Sequence, residues 1–195
     1  RLTVNVTDTQ TTQNLGTLYL TQPLITGTVS APDGVTPIAN AQVQVHSEDW
    51  QINRGAQTDH QGLFRLGGLA TGRYTLEANP PAEGEGSQFT GAVPRAVTIT
   101  AGLLNNVGIV PLTNPQLNGR VILPDGAGVP NSWVEARTLD YLVHKGANSG
   151  AGGNFRLGGL AAGTYAVRAR PPWGGGYDQY TPSDEVQVTL TGSAA

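Results

Sequence analysis

Phe64-Arg65-Leu66-Gly67-Gly68-Leu69-Ala70-Thr71-Gly72-Arg73-Tyr74 returns downstream as Phe155-Arg156-Leu157-Gly158-Gly159-Leu160-Ala161-Ala162-Gly163-Thr164-Tyr165. Only the positions of Thr71 and Arg73 differ. Upstream, Gly27-Thr28-Val29 with Pro32-Asp33-Gly34 matches Gly119-Arg120-Val121 with Pro124-Asp125-Gly126. Downstream, Ala78-Asn79-Pro80-Pro81 matches Ala169-Arg170-Pro171-Pro172. The blocks keep their order at an offset of about 91 residues. Self-similarity on this scale means two copies of one structural unit.

Each copy reads as strands. Ala41-Gln42-Val43-Gln44-Val45 alternates apolar and polar residues, as a half-buried strand does, and Trp133-Val134-Glu135-Ala136-Arg137 is its counterpart. The Pro-Asp-Gly triplets are turns. The Gly-Gly-Leu-x-x-Gly segments place glycines where positive φ or close backbone approach is needed. No stretch carries an apolar helical stripe with caps. The fold class expected is all-β, two tandem seven-stranded sandwiches.

With these residues in view, Gly-x-Val, Pro-Asp-Gly, Asn-Ala-x-Val-x-Val, Gly-x-Phe-x-Leu-x-Gly-Leu and Gly-x-Tyr-x-Leu-x-Ala, both copies, and thus most of the chain, resemble the carboxypeptidase regulatory-like domain. The resemblance implies a transthyretin-like, Ig-like sandwich used as a spacer, stalk or adhesion module of secreted and surface proteins. Related collagen-adhesin B-type modules carry a Lys–Asn cross-link. Lys145 is the only lysine and sits in one copy, so a cross-link shared by both copies is not expected.

Composition narrows the function classes. Among 195 residues there is no cysteine, so neither a disulfide nor a thiolate metal site can form. The formal charge is -3 and only 13% of residues are charged, without the basic face of a nucleic-acid binder. No apolar run approaches the roughly 20 residues that a membrane helix needs, and no membrane insertion is expected. The 27 glycines and 13 prolines suit short strands joined by tight turns.

The ends of the two copies differ. The first copy continues through Ala96–Thr100 and closes with Asn106–Thr113, whereas the second has Val186–Thr191 and reaches Ala195 without a closing strand. At the N-terminus, Leu2–Thr7 resembles Val97–Thr100, and Asn14–Thr21 resembles Asn106–Thr113. The division expected is therefore an N-terminal strand segment at 1–22, a first sandwich at 23–114, and a second at 115–195 lacking its last strand.

Two readings stay open. In one, the chain is a window of a longer tandem array and its partners are adjacent modules. In the other, Asn14, Leu15, Thr17, Leu18, Tyr19 and Leu20 of one copy complete the second module of the next by strand addition. The acceptor expected for that strand is Val186, Val188 and Leu190. Head-to-tail contacts of this kind build an open filament unless they close into a ring.

Sites for chemistry are sparse. His46 with Glu48 and Asp49 is a weak cation motif that the other copy does not repeat, and neither a metal nor another cofactor is expected. No Gly-x-Ser-x-Gly elbow and no zinc-peptidase spacing is present, so no catalysis is expected. Trp173, Tyr177 and Tyr180 on a glycine-rich loop form the alternative contact, for a cell-surface glycan or protein. The competing structural reading has Trp173 capping the sandwich end and Tyr177 or Tyr180 packed beneath the loop. Trp50 and Trp133 are expected inside the sandwiches or at their junction. The function expected is a non-catalytic subunit of an extracellular or cell-surface filament or stalk, the alternative being an accessory binding module.

Overall fold

A computed structural model describes residues 24–100 and 102–191, together with positions 17 and 22. The first module comprises β1 (Ile25–Ser30), β2 (Gln42–His46), β3 (Asn53–Gln57), β4 (Leu63–Leu66), β5 (Gly72–Asn79), β6 (Arg95–Ile99) and β7 (Asn105–Pro111). One sheet has the order β4-β1-β7, and the facing sheet has the order β3-β2-β5-β6. The β1–β7 pair is parallel and the other pairs of this module are antiparallel.

Period-two burial explains which side chains face inward. Ile25 and Val29 on β1, Val43 and Val45 on β2, and Tyr74 and Leu76 on β5 are all buried. Phe64 from β4, Ile99 from β6 and Val110 from β7 meet them in one core. Burying each such side chain stabilises the sandwich by roughly 1.5–3 kcal/mol. The Tyr74 hydroxyl donates to the Ala70 carbonyl at 3.1 Å, and Tyr165 repeats this to Ala161 at 2.9 Å. Each ring can therefore be buried without stranding its polar tip. Gly34 and Gly126 take φ of 74° and 89°, the left-handed conformation that their turns require.

The second module comprises β8 (Leu117–Arg120), β9 (Trp133–Thr138), β10 (His144–Asn148), β11 (Asn154–Leu157), β12 (Gly163–Arg170) and β13 (Val186–Leu190). Its sheets are β11-β8 and β10-β9-β12-β13. The plan is that of the first module, strand for strand, with no described counterpart of β7. Its core is correspondingly thinner, built on Ala136, Leu157, Leu160 and Tyr165.

The modules meet through the second Gly-Gly pair. The Gly159 amide donates to Thr113 Oγ1 at 2.8 Å, and a Cβ at Gly158 would collide with Thr90. Lys145 Nζ reaches Glu77 Oε1 at 2.8 Å across the same joint.

The tryptophans depart from expectation. Trp50 is 57% exposed, at φ 57°, with its ring stacked on His46 at 3.6 Å. Trp133 is 37% exposed and lies against Gly146, because alternation along β9 sends Val134 and Ala136 inward instead.

Candidate functional site

The closing strand of the first module has no counterpart among the described residues of the second. β7 runs parallel to β1, with Thr26 opposite Asn106, Thr28 opposite Ile109 and Val29 opposite Val110. A register shift between Thr26 and Thr28 marks a bulge at Val107-Gly108. Gly108 there has φ 70°, and its amide donates to Asn106 Oδ1 at 2.9 Å. Asn106 and Gly108 thus set the bend, since Asn side chains satisfy nearby amides and glycine accepts positive φ. Beyond the bend Val110 and Leu112 are buried, whereas Ile109 and Pro111 face outward.

In the second module β8 pairs with β11 on one side and with no described strand on the other. An apolar groove opens along it between the two sheets. Its deeper part is a cavity of about 510 Å³, with Val121, Ile122, Val129, Ala169 and Tyr180 in its walls. A contiguous part of about 320 Å³ shares Val121, Ile122 and Ala169 and reaches Phe155 and Val186. Val29 is fully buried while its counterpart Val121 is half-exposed; Phe64 is 1% exposed while Phe155 is only half-buried. The Oγ of Ser132, also in the groove wall, is buried without a hydrogen-bond partner. Ala41 holds that place in the first module.

Of the expected acceptor residues, Val186 is 60% exposed and Val188 and Leu190 are half-buried on β13, which among the described strands pairs with β12 alone. In the first module β6 likewise pairs only with β5, and β7 lies on β1 in the opposite sheet. The backbone that receives a closing strand is therefore that of the first strand, and β13 corresponds to a wall of the groove. The expectation missed this because sequence order places β6 just before β7 although the two never pair. Of the expected donor residues, Asn14, Leu15, Leu18, Tyr19 and Leu20 lie outside the described residues, and Thr17 is exposed.

The aromatic loop divides. Trp173 is fully exposed, whereas Tyr177 and Tyr180 line the groove. Gly174, Gly175 and Gly176 all have positive φ, between 67° and 84°, and turn the loop so that the three rings do not form one patch. The reading in which Trp173 caps the sandwich is corrected by its exposure. Among the described residues no group of three His, Asp or Glu is placed to hold a metal ion.

A charge cluster beside the groove escaped the sequence reading. Glu135 on β9 is buried and accepts hydrogen bonds from Arg168 at 2.8 Å, Arg170 at 2.9 Å and His144 at 3.0 Å. Burial pushes its carboxyl pKa up, but the bonds from His144, Arg168 and Arg170 outweigh that and bring it to about 2. The partners come from two strands, β10 and β12, and spacing along the chain does not reveal that they meet.

Residues 24–110, spanning β1 to β7 up to Val110, match the carboxypeptidase regulatory-like domain family. The first module is similar to the carboxypeptidase regulatory-like domain over this span. Among the described residues the second module repeats the strand plan of the first through β13. No curated protein matches the chain. Among solved structures, a streptococcal ancillary pilin is similar at 16% identity and TM-score 0.33, over 87% of this chain and 58% of that one. The Bacillus anthracis TIE protein is similar at 16% identity and TM-score 0.34, over 86% of this chain and 31% of that one. The minor pilin of Streptococcus agalactiae is similar at 14% identity and TM-score 0.28, over 87% and 90% of the two chains. The chain thus spans little more than half of the first and about a third of the second. At these TM-scores the likenesses support no transfer of function.

Proposed function

We propose that the chain is a non-catalytic structural subunit of an extracellular or cell-surface filament, in which residues 14–21 of one copy fill the β8 groove of the next. The observation that carries this reading is the match between the donor sequence and the strand that fills the same place in the first module. Asn14-Leu15-Gly16 repeats the bulge Asn106-Val107-Gly108. Leu18 and Leu20 fall where Val110 and Leu112 are buried, and Thr17 and Tyr19 fall where Ile109 and Pro111 face out.

A donor strand adds backbone hydrogen bonds to an open edge, and its alternate side chains set register. The first module has its own β7 and needs no donor. Nor can residues 14–21 easily reach β8 of their own chain. The three residues from Gln22 to Leu24 span at most about 11 Å, while the eight-residue β5 alone runs roughly 26 Å. A second copy is therefore the partner.

Electron microscopy of the chain beside a version without residues 1–22 tests this. Filaments that need those residues support strand exchange. Uniform monomers in both samples refute it and leave the open edge for an adjacent module of a longer array.

The full exposure of Trp173 favours a second reading, a binding module for a cell-surface glycan or protein. Loss of retention on a glycan or cell surface by Trp173→Ala, with assembly unchanged, supports it.

A further inference from the structure

The joint between the two modules buries a surface that each module carries twice over, and one half of each stands open. Gly158 and Gly159 are buried against Thr90 and Gly91, with Thr113 Oγ1 bridging the Gly159 amide and the Gly91 carbonyl. The counterpart pair in the first module, Gly67-Gly68, is half-exposed at Gly67 and exposed at Gly68. The counterpart of Thr90 is Thr181, which is exposed where Thr90 is buried. Thr21 stands in sequence where Thr113 does, with Gln22-Pro23 repeating Asn114-Pro115 after it.

Resting on the strand-exchange reading, we propose that the donating copy also seats Gly67-Gly68 on Thr181-Pro182 of the receiving copy. The joint between copies then repeats the joint between modules. The filament becomes one continuous row of equivalent modules rather than beads on flexible strands. Small residues make this fit, because any side chain at the Gly158 position would strike Thr90. Pro182 retains the carbonyl that Gly91 contributes.

One contact does not carry over. Lys145 pairs with Glu77 within the chain, and its side chain is only 14% exposed. The corresponding residues between copies are Arg54, exposed, and Arg168. Two cations meet there, and Arg168 is already bound to Glu135 at 2.8 Å. The joint between copies therefore lacks the ion pair of the joint within the chain, and an acid at position 54 would restore it.

A side chain at Gly158 would strike Thr90, so Gly67→Leu, at the equivalent place between copies, is expected to raise the critical concentration for assembly about tenfold or more while the monomer melts as before. Arg54→Glu is expected to lower the critical concentration for assembly about two- to fivefold, the range of one partly exposed ion pair, with the gain erased by Arg168→Glu. Filaments that form as readily with Gly67→Leu and are indifferent to Arg54→Glu overturn the joint while strand exchange stands. A wild-type chain that forms no filaments overturns both.

Discussion

Val107 packs onto Gly27 so closely that a Cβ at position 27 would stand 2.7 Å from Val107 Cγ2. Gly119 holds the corresponding place in the second module, and there a Cβ would meet only the Phe155 ring, at 2.8 Å. One glycine is roofed by a strand and the other is open on that side. The two modules differ at this contact in one respect, whether a described strand covers the glycine.

Alanine at these two glycines separates folding from assembly. Gly27→Ala forces Val107 and Phe64 apart and is expected to destabilise the first module by about 1–3 kcal/mol, the usual cost of overpacking. Gly119→Ala can be relieved by the half-buried Phe155, so the free chain is expected to melt nearly as before while assembly falls sharply. Denaturant melts and light scattering on the two variants provide the check.

Alternation along the donor gives a second contrast. Leu18→Asp and Leu20→Asp each place a carboxylate at a position matching a buried side chain of β7, and unpaired buried charge is costly. Both are expected to abolish polymerisation without altering the melting temperature of the monomer. Thr17→Asp, on the outward face, is expected to leave polymerisation within about twofold of normal. Sedimentation of polymer from monomer distinguishes these outcomes.

Glu135 makes the second module acid-sensitive. Its folded pKa, at about 2, lies below the ordinary value of 4.5, so the unfolded state binds its proton more readily. The stability it contributes is full above about pH 4.5 and drains away as pH falls toward 2. Glu135→Gln is expected to flatten that part of the stability profile and leave the first module untouched. Urea melts between pH 2 and 6 measure the slope.

Two buried hydroxyls pin the turn that follows the first strand of each module. Thr58 Oγ1 donates to the Ile38 carbonyl at 2.6 Å and accepts from the Ala41 amide at 2.8 Å; Ser149 does the same for Val129 and Ser132. Thr58→Val keeps the shape and strands both backbone groups, so a loss of about 1–3 kcal/mol is expected. The Thr58→Val melting transition tests it.

The parts of this architecture written in local pattern were legible from the chain. The Phe-to-Tyr block and the alternating strands around Val43 and Val134 exposed both the repeat and the sheets. β3 and β10 were not read, because Asn-Arg-Gly-Ala-Gln and His-Lys-Gly-Ala-Asn lack alternation and are held only by pairing with β2 and β9. The closing strand of the first module was legible as Asn106–Thr113, but the strand it pairs with was not. Pairing across a sandwich joins β1 to β7 over some 80 residues, and nothing near either strand announces it. Glu135 and its cations were hidden for the same reason.

Backbone hydrogen exchange along β8 tests the central claim most directly. It compares the assembled chain with the full chain carrying Leu18→Asp and Leu20→Asp, with β1 as internal reference because β7 already covers it. Slow exchange in the filament at the β8 amides that do not pair with β11, fast exchange of those amides in the variant, and slow exchange of β1 in both is the expected result. Equal exchange of β8 in the two samples would contradict strand donation.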